Sequence, residues 1–282
     1  SQEGLRFVGP MAVGFIIVAA YRIGKKVIKD KITLGLFFLG ALGTYFFRGP
    51  WIFPLVFLLG RLTSIFTTKE ENLWNKVSVK IPWKFLIALI LIALGGVIVN
   101  IVSDNLIIKI FESFYRYGYL VIGGGQVVVP MMHSELVEIN HYMTNREFLT
   151  GFGIVQGLPG PMFSFSAYAG GMAARGSGAF YQILGSIAGG VGIFLPGLLL
   201  IFFVYPIWED LKKIKGIKVS LSGITAVAGG LIFTSAIILM RSSGFEFENF
   251  VVMGLTVLLL ITKKIPAPLI VMGVLILGFL WH

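Results

Sequence analysis

Apolar residues fill long stretches of this chain, and polar residues gather in short segments between them. Ile87 to Val102 contains no charged residue, and neither does Gly176 to Trp208. A membrane-spanning helix needs roughly 20 mostly apolar residues, so the pattern predicts an all-α, polytopic membrane protein. The predicted spans are 8–28, 33–47, 51–66, 84–102, 179–205, 220–241, 250–262 and 265–281.

Two clusters of helix-breaking residues interrupt the apolar sequence between positions 114 and 175. They are Gly123-Gly124-Gly125-Gln126 and Gln156-Gly157-Leu158-Pro159-Gly160-Pro161. Interrupted backbone at membrane depth leaves N–H and C=O groups without partners, so it is tolerated only inside protein or beside a polar cavity. Paired breaks of this kind are typical of the binding sites of transporters. The sequence therefore predicts discontinuous helices around a ligand site.

Composition agrees with a membrane protein. Hydrophobic residues make up 56% of the 282 residues and charged residues 13%, and the mean hydropathy is +0.90. The absence of cysteine excludes disulfides, thiolate metal ligands and cysteine nucleophiles. The net charge of +10 comes from short loops between spans, a pattern that indicates membrane orientation and lipid contact. We expect the lipid bilayer, and no nucleic acid, as a partner.

A weak internal repeat predicts two halves of opposite orientation. Gly4-Leu5-Arg6, a span and two short spans are matched by Gly216-Ile217-Lys218 and the same order of spans. The predicted domains are the end of a first repeat with its connector (1–82), a linking transmembrane helix (83–103) and a second repeat (104–282). The first repeat lacks a broken-helix unit, and the chain begins without Met. We therefore expect a missing N-terminal part, on the order of 100 residues or more, or a homo-oligomer partner.

Loop charges give a predicted sidedness. Basic residues outnumber acidic ones in four loops, which the positive-inside rule assigns to the cytoplasm. These loops are 22–31, 61–84, 209–218 and 263–264. The loops at Arg48 and at 241–248 are then expected on the opposite side. The extra span at 84–102 allows the second repeat to invert relative to the first.

Both breaks carry groups that could bind an anion. Gly123, Gly124 and Gly125 can expose N–H groups to a ligand without obstruction by side chains. A half-helix that begins at Gln126 would favour an anion through its dipole. The alternative interpretation is close helix packing through small residues.

The second break suits a half-helix that begins near Pro161, because Pro159 and Pro161 lack N–H groups. Its first turn would place N–H groups beside the hydroxyls of Ser164 and Ser166, which are suitable donors for a tetrahedral oxyanion. Alternatively the break is a kink in which the serines bond back to their own helix.

Arg116 lies at the start of the first broken segment, where its fork of donors would suit a dianion. We expect an Arg116→Gln substitution to abolish anion binding. The alternative is an interfacial arginine whose guanidinium reaches lipid headgroups. Arg175 is interpreted as an anchor of a loop.

The segment from His133 to His141 looks like a loop. On one helix Glu138 and His141 would be neighbours, but His133 would face elsewhere, so no metal site is predicted. Glu135 or Glu138 could carry a proton for coupling, although a solvated loop explains them equally well. Gly185 with Gly189, and Ser186 with Gly190, predict a tight helix contact.

Residues 114–172 resemble the chromate ion transporter family, and its C-terminal homologous half in particular. The resemblance rests on Phe-Tyr-Arg-Tyr-Gly from 114, Gly-Gly-Gly-Gln-Val-Val-Val-Pro from 123, Phe-Leu-Thr-Gly-Phe-Gly from 148 and Gln-Gly-Leu-Pro-Gly-Pro-Met-Phe-Ser-Phe-Ser-Ala-Tyr from 156. Ile122 stands where the family usually has Phe. The residues that match motif positions are Arg116, Gly123, Gly124, Gly125, Gln126, Gln156, Pro159, Gly160 and Pro161.

The resemblance implies a two-half transporter of the inner membrane that exports chromate, with sulfate as the mimicked anion and no cofactor. Together with the broken helices, it predicts a secondary transporter in which one half rocks against the other, with a coupling ion as a possible second substrate. One alternative is a membrane-embedded enzyme acting on a lipid or phosphate ester, with candidate groups only between His133 and His141. Another is a non-catalytic membrane scaffold whose breaks are packing devices.

Overall fold

The protein is a bundle of membrane-length and shorter helices. The computed structural model describes residues 5–47, 51–74, 80–122 and 124–280, and within them the regular structure is helical, with no strand. A helix satisfies its backbone hydrogen bonds internally, which is what a lipid environment demands. The predicted all-α, polytopic membrane fold is therefore confirmed.

The predicted spans are all present. Before the first break the helices are α1 (Val8–Val27), α2 (Lys31–Phe46), α3 (Ile52–Thr67), α4 (Trp83–Val102) and α5 (Leu106–Leu120). From the first break to the second break's end they are α6 (Val129–His133), α7 (Asn145–Gly157) and α8 (Phe165–Ala174). The last are α9 (Ala179–Val204), α10 (Trp208–Leu211), α11 (Lys215–Ser242), α12 (Phe247–Thr262) and α13 (Ala267–Leu280).

α11 lies at the centre of the bundle and α4 at its edge. In the most apolar window of α11 72% of the residues are buried, whereas in that of α4, described throughout, none is. α11 packs against α1, α2 and α3, and glycines allow this approach, because a Cβ at Gly60 would meet the Gly223 carbonyl oxygen at 3.0 Å. The mean hydropathy of α4, 2.9, suits a helix that faces lipid along its length.

Two contacts fix the relative directions of α1 and α12. Near the start of α1, Arg6 Nη2 lies 2.5 Å from Oε2 of Glu248, which is in the first turn of α12. Near the end of α1, Arg22 Nη2 donates to the Leu260 carbonyl oxygen at 2.6 Å, in the last turn of α12. The two helices are therefore parallel. α11 precedes α12 across a short loop and runs antiparallel to α1.

Each predicted break divides a helical hairpin. In the first hairpin (106–139), α5 ends at Leu120, a 3-10 turn begins at Gly125, and α6 continues into a π-helix at Ser134–Ile139. In the second hairpin (145–174), α7 ends at Gly157 and a 3-10 turn at Met162–Ser164 leads into α8. Arg175 forms an ion pair with Glu147, which joins the open ends of the second hairpin. Arg175 is thus an anchor, as predicted.

The expectation of a loop between His133 and His141 is wrong, because the chain is helical from Val129 to Ile139. Pro130 stands in the first turn of α6, where a missing N–H costs nothing. Glu135 is only 5% exposed, and its charge is stabilised by a partner from α5 rather than by water. Of the polar residues that suggested a loop, His133 and Glu135 are therefore buried, whereas His141 is exposed.

The two hairpins pack against each other and against α9. The Phe148 ring lies 5.1 Å from that of His133 and 5.0 Å from that of Phe165, measured between centroids. Gly185 of α9 lies against the backbone of Gly170 in α8, where no side chain would fit. The tight contact predicted for the small residues of α9 is confirmed.

Candidate functional site

Both breaks contribute to one small cavity. It has a volume of about 230 Å³ and lies between α1, the 3-10 turn after Gly124, the end of α7, and the neighbouring ends of α12 and α13. Gln126 comes from the first break and Gln156 from the second, and both are half-buried. Apolar side chains from α1 and Phe152 form most of the remaining wall. The structure therefore brings the two predicted glutamines together.

Backbone conformation at the breaks explains the choice of glycine. Gly124 has φ of +133° and Gly160 has φ of +151°, a region that L side chains rarely adopt. Gly125 faces the other break, because a Cβ there would lie 2.9 Å from Met162 Cε and 3.0 Å from Phe163 Cζ. Gly123 lies outside the described residues. The Gly124–Gln126 turn can therefore pack closely against the second hairpin.

Arg22 is the cationic residue at this cavity, and the sequence did not single it out as a site residue. It lies near the end of α1 and is exposed. Its hydrogen bond to Leu260 uses one of the five guanidinium N–H donors. Among the described residues no carboxylate forms an ion pair with it. Arg22 therefore retains unused N–H donors at the cavity, and its charge is not neutralised there.

A second, open cavity of about 350 Å³ adjoins the first and shares Arg22 with it. Its other basic lining residues are Lys25, Lys26 and Lys263, and Tyr21 and Ile261 complete the lining. No acidic residue is among those described residues. We call this cavity the basic vestibule. Its uniform positive charge would raise the local concentration of anions.

A larger cavity is chemically different, and none of the predicted site residues is in its lining. It has a volume of about 450 Å³, lies beside the start of α1, and is lined by Arg6, Arg146 and Glu246 among others. Arg6 is paired there with Glu246, just before α12, and with Glu248 in its first turn. Mixed and mutually neutralised charges make it a poorer anion site than the smaller cavity beside Gln126 and Gln156.

The remaining residues of the second break form the turn rather than the cavity wall. Pro159, Gly160 and Pro161 are exposed between α7 and the following 3-10 turn. The Ser164 hydroxyl donates to the Pro161 carbonyl oxygen at 3.0 Å, and the buried Ser166 hydroxyl to the Phe163 carbonyl oxygen at 2.6 Å. The half-helix begins where predicted, but both serine hydroxyls bond back to their own chain.

Arg116 does not reach the cavity and lies within the first hairpin between two carboxylates. Its Nε donates to Glu112 Oε1 at 2.9 Å, while Nη1 and Nη2 donate to the two oxygens of Glu135 at 2.6 and 3.0 Å. The side chain is 18% exposed, so it does not extend to lipid headgroups, and that alternative is wrong. The charge of Arg116 is already neutralised by these carboxylates. A role of Arg116 in anion binding stays a prediction.

Further donors complete this buried group. The Tyr117 hydroxyl donates to Glu135 Oε2 at 2.9 Å, and the Asn100 amide of α4 to Glu112 Oε2 at 3.3 Å. Lys109, one turn before Glu112, is instead paired with Asp104 at 2.9 Å. The hydrogen bond and charge of Lys109 lower the pKa of the Asp104 carboxyl, which lies in the loop before α5. We call Glu112, Arg116 and Glu135 the buried triad.

The histidines between the hairpins do not converge on a common point. His133 Nε2 lies 2.7 Å from Asn145 Oδ1, and its Nδ1 lies 3.8 Å from Glu138 Oε1. His141 Nδ1 instead lies 2.9 Å from the Val137 carbonyl oxygen. Within the described parts of the chain, no group of three His, Asp or Glu side chains could hold a metal ion.

Sequence reasoning missed two functional candidates for different reasons. Glu112 stands four residues before Arg116, a spacing that pairs opposite charges on one helix face, so a signal existed. Arg22 stands more than a hundred residues before Gln126, in a run of loop charges. Only the packing of α1 beside both breaks identifies it.

A helical membrane protein in which two broken hairpins contribute polar side chains to one small cavity has the organisation of a membrane transporter. Comparison with known sequences agrees, because the chromate transporter family model matches residues 108–279. The chain belongs to the chromate transporter family, as its motifs predicted.

Curated relatives are similar along nearly the whole chain. A probable chromate transport protein of Synechococcus elongatus is 24% identical over 97% of this chain and 67% of its own length. A chromate transport protein of Cupriavidus metallidurans is 23% identical over 96% of this chain and 65% of its own length. A chromate transport protein of Pseudomonas aeruginosa is 24% identical over 83% of this chain and 55% of its own length. The chain thus spans about two thirds or less of these relatives, and no solved structure matches it.

Proposed function

We propose that this chain is part of a secondary transporter that moves a tetrahedral dianion, chromate or a sulfate-like anion, out of the cell across the inner membrane. The observation that carries the proposal is the meeting of Gln126, Gln156 and Arg22 at one cavity. The glutamines come from two breaks that the family motifs contain, and the arginine supplies the charge that an anion requires. Three relatives named as chromate transport proteins support the substrate class.

The cavity suits a small inorganic anion. Its volume of about 230 Å³ lies below the range of roughly 300–1,000 Å³ that is usual for drug-sized ligands. An unpaired dianion in a low-dielectric site would cost tens of kcal/mol. Two amide groups, a guanidinium and the N–H groups at the start of the Gly125–Val128 turn offset that cost. Gly124 and Gly125 begin that turn, and the close packing of Gly125 against the second hairpin supports the position of Gln126 at the cavity.

The other motif residues have supporting roles in this proposal. Pro159, Gly160 and Pro161 hold the second break open, so that α7 ends beside the cavity at Gln156. Ser164 and Ser166 stabilise the turn through their hydrogen bonds to the backbone. Because both hydroxyl hydrogens are used in these bonds, neither serine donates to the anion in this arrangement. Gly123 belongs to the same motif, and its role in anion binding stays a prediction. Arg116 is proposed to act on the anion only through the hairpin that it stabilises.

The proposed sidedness places the basic vestibule at the cytoplasmic end. Loops 22–31 and 263–264 meet in that vestibule. Loops 61–84 and 209–218 are joined by a Lys215–Glu70 ion pair at 3.1 Å, and one cavity brings Asp30, Lys69 and Val219 together. All four loops with a basic excess therefore lie at one end of the molecule, which supports a single cytoplasmic face. An exported anion would then enter through the vestibule.

Helix directions support the proposed inverted repeats. The repeat matches α1 with α11, and these helices run antiparallel, as inversion requires. In the first hairpin the π-helix runs back towards the end at which α5 began, and in the second α8 runs back towards the start of α7. Each hairpin therefore adds no net crossing. α4 is then the extra span that inverts the second copy. The proposed domains remain 1–82, 83–103 and 104–282, completed by an N-terminal part or a homo-oligomer partner.

Coupling to an ion is part of the proposal, with Glu135 and Glu138 as the predicted proton carriers. Glu135 lies in the buried triad, and Glu138 lies on the same π-helix beside His133. π-helical turns often occur at functional sites. Rocking of one half against the other would expose the anion cavity to each side in turn.

Anion titration of the purified full chain by calorimetry tests the proposal. Chromate and sulfate should bind, phosphate and chloride should bind more weakly, and Arg22→Gln should bind dianions more weakly than the wild type does. Arg6→Gln is the matched control, because Arg6 also joins α1 to α12 but lies at the opposite end. Equal affinity in wild type and Arg22→Gln would refute the cavity. If the wild type binds no anion, the same titration on a chain extended to the length of the relatives decides whether a missing half is required.

A further inference from the structure

The buried triad carries more negative than positive charge. Glu112 and Glu135 are 6% and 5% exposed, and they share the single guanidinium of Arg116. With both carboxylates ionised, the group has one net negative charge. An excess charge inside a membrane protein is costly unless a cation compensates it.

Among the described residues of the surrounding helices, none provides such a cation to the triad. Lys109 of α5 is paired with Asp104, and α8 and α9, which pack on α5, contain no charged side chain between Phe165 and Ala174 or between Ala179 and Val204. α4 contributes only the neutral amide of Asn100. On the π-helix, Glu138 faces His133. The other titratable groups near the triad are the phenols Tyr117, Tyr119 and Tyr142.

Donors are divided unequally between the two carboxylates. Glu135 accepts three bonds, at 2.6 and 3.0 Å from Arg116 and at 2.9 Å from Tyr117. Glu112 accepts one bond of ordinary length, at 2.9 Å from Arg116 Nε, and two long ones at 3.4 and 3.3 Å. Each donor stabilises the ionised carboxylate. Protonation would therefore disturb fewer hydrogen bonds of ordinary length at Glu112 than at Glu135.

α4 is built to accept Glu112 in either protonation state. Gly96 lies beside it, because a Cβ there would be in ordinary contact with Glu112 Cγ, at 3.5 Å. Asn100, one turn later on the same face, is the only polar residue between Phe85 and Val102. An amide has both donors and an acceptor, so Asn100 can donate to the carboxylate or accept from the protonated acid.

We propose that Glu112 is a reversible proton-binding site, with the proton on the carboxylate oxygen that faces Asn100. Binding forms one O–H bond and changes the net charge of the triad from −1 to zero, and release returns the proton to water. The two-carboxylate group would alternate between charged and neutral forms while Glu135 and Arg116 stay paired. As a coupling site this inference rests on the proposed transport function. It assigns the coupling proton to Glu112 instead of Glu135 or Glu138.

Infrared difference spectroscopy of the full chain in lipid tests the inference directly. We expect a carbonyl band of one protonated carboxyl group that appears on acidification and is absent from Glu112→Gln. Glu138→Gln is the matched control and should retain the band. Persistence of the band in Glu112→Gln, its loss only in Glu138→Gln or Glu135→Gln, or no such band in the wild type would overturn the proposal.

A second variant leaves both carboxylates in place. Asn100→Leu removes the amide that faces Glu112, so the carbonyl band of the protonated acid should shift in frequency, and an unchanged frequency would contradict the proposal. Anion calorimetry on the same samples separates the two proposals. Glu112→Gln should bind dianions as the wild type does, whereas a failure of the wild type to bind them would affect the transport proposal alone.

Discussion

Two arginines of this protein meet opposite surroundings, and the contrast shows what makes a guanidinium available to a ligand. Arg116 belongs to the family motif, is mostly buried, and donates to two carboxylates. Arg22 lies outside the matched motif residues, is exposed, and donates to a single backbone carbonyl. The first has its charge overcompensated within the protein. The second presents its charge to a cavity that contains both motif glutamines.

The comparison separates structural from ligand-binding charge. Bringing a dianion to Arg116 would place it beside two carboxylates, where like charges repel it. Bringing it to Arg22 would place it in the basic vestibule or in the adjoining cavity, whose described lining contains no acid. A motif arginine can therefore serve the site by shaping its support, while an arginine from another helix provides the charge.

The largest expected effect is the loss of stability in Arg116→Leu. Removing the shared partner leaves two buried carboxylates uncompensated, which costs about 3–5 kcal/mol in comparable buried pairs. Thermal unfolding of detergent-purified protein measures this loss. Arg22→Leu is the control and should cost less, because Arg22 is exposed and leaves only a helix-end carbonyl to water. Similar unfolding of the two variants would contradict the distinction.

Arg22→Gln should weaken dianion binding roughly 10- to 150-fold, the equivalent of about 1.5–3 kcal/mol for hydrogen bonds to a charged group. Arg116→Gln, where folded, should change the affinity less than about threefold by the same conversion. Calorimetry of both variants at equal salt measures the difference. The motif-based expectation is the reverse, so a loss confined to Arg116→Gln would restore Arg116 as the ligand.

Loss of one amide should have an intermediate effect. Gln126→Leu and Gln156→Leu each remove a hydrogen bond of about 1–1.5 kcal/mol, or roughly five- to tenfold in affinity. Gln182→Leu, on the exposed face of α9, is the matched control and should leave affinity unchanged. Loss from only one of the two cavity variants would mean that the breaks do not share a single anion.

The smallest effect on affinity is expected in the basic vestibule. Lys25→Gln with Lys26→Gln should slow anion association at low salt and have little effect at high salt, because exposed charges act at long range and are screened. Stopped-flow binding at two ionic strengths measures this. Lys212→Gln with Lys213→Gln is the control, since those lysines are paired with Glu209 and Asp210. A salt-independent change would indicate direct contact instead.

Elements with a strong local signal were predicted well. Apolar runs gave the spans to within a few residues, the largest difference being the start of α11 at Lys215, because a polar first turn extends beyond its apolar part. Glycine and proline gave both breaks, since these residues restrict or release the backbone locally. The segment from His133 to His141 was misjudged, because Glu135 is paired with Arg116 of α5 rather than solvated, and Glu138 lies beside His133.

By itself the sequence determined the membrane-spanning class, the two breaks and the family, because hydrophobic length and backbone geometry are properties of neighbouring residues. Tertiary structure alone decided which charges meet. Arg116 is paired with Glu135 because of the fold of the first hairpin. Arg22 lines the same cavity as Gln126 and Gln156 because α1 packs beside both breaks. The physical reason is that charge and hydrogen-bond energies act through space over a few ångströms, and separation along the chain gives no measure of that distance.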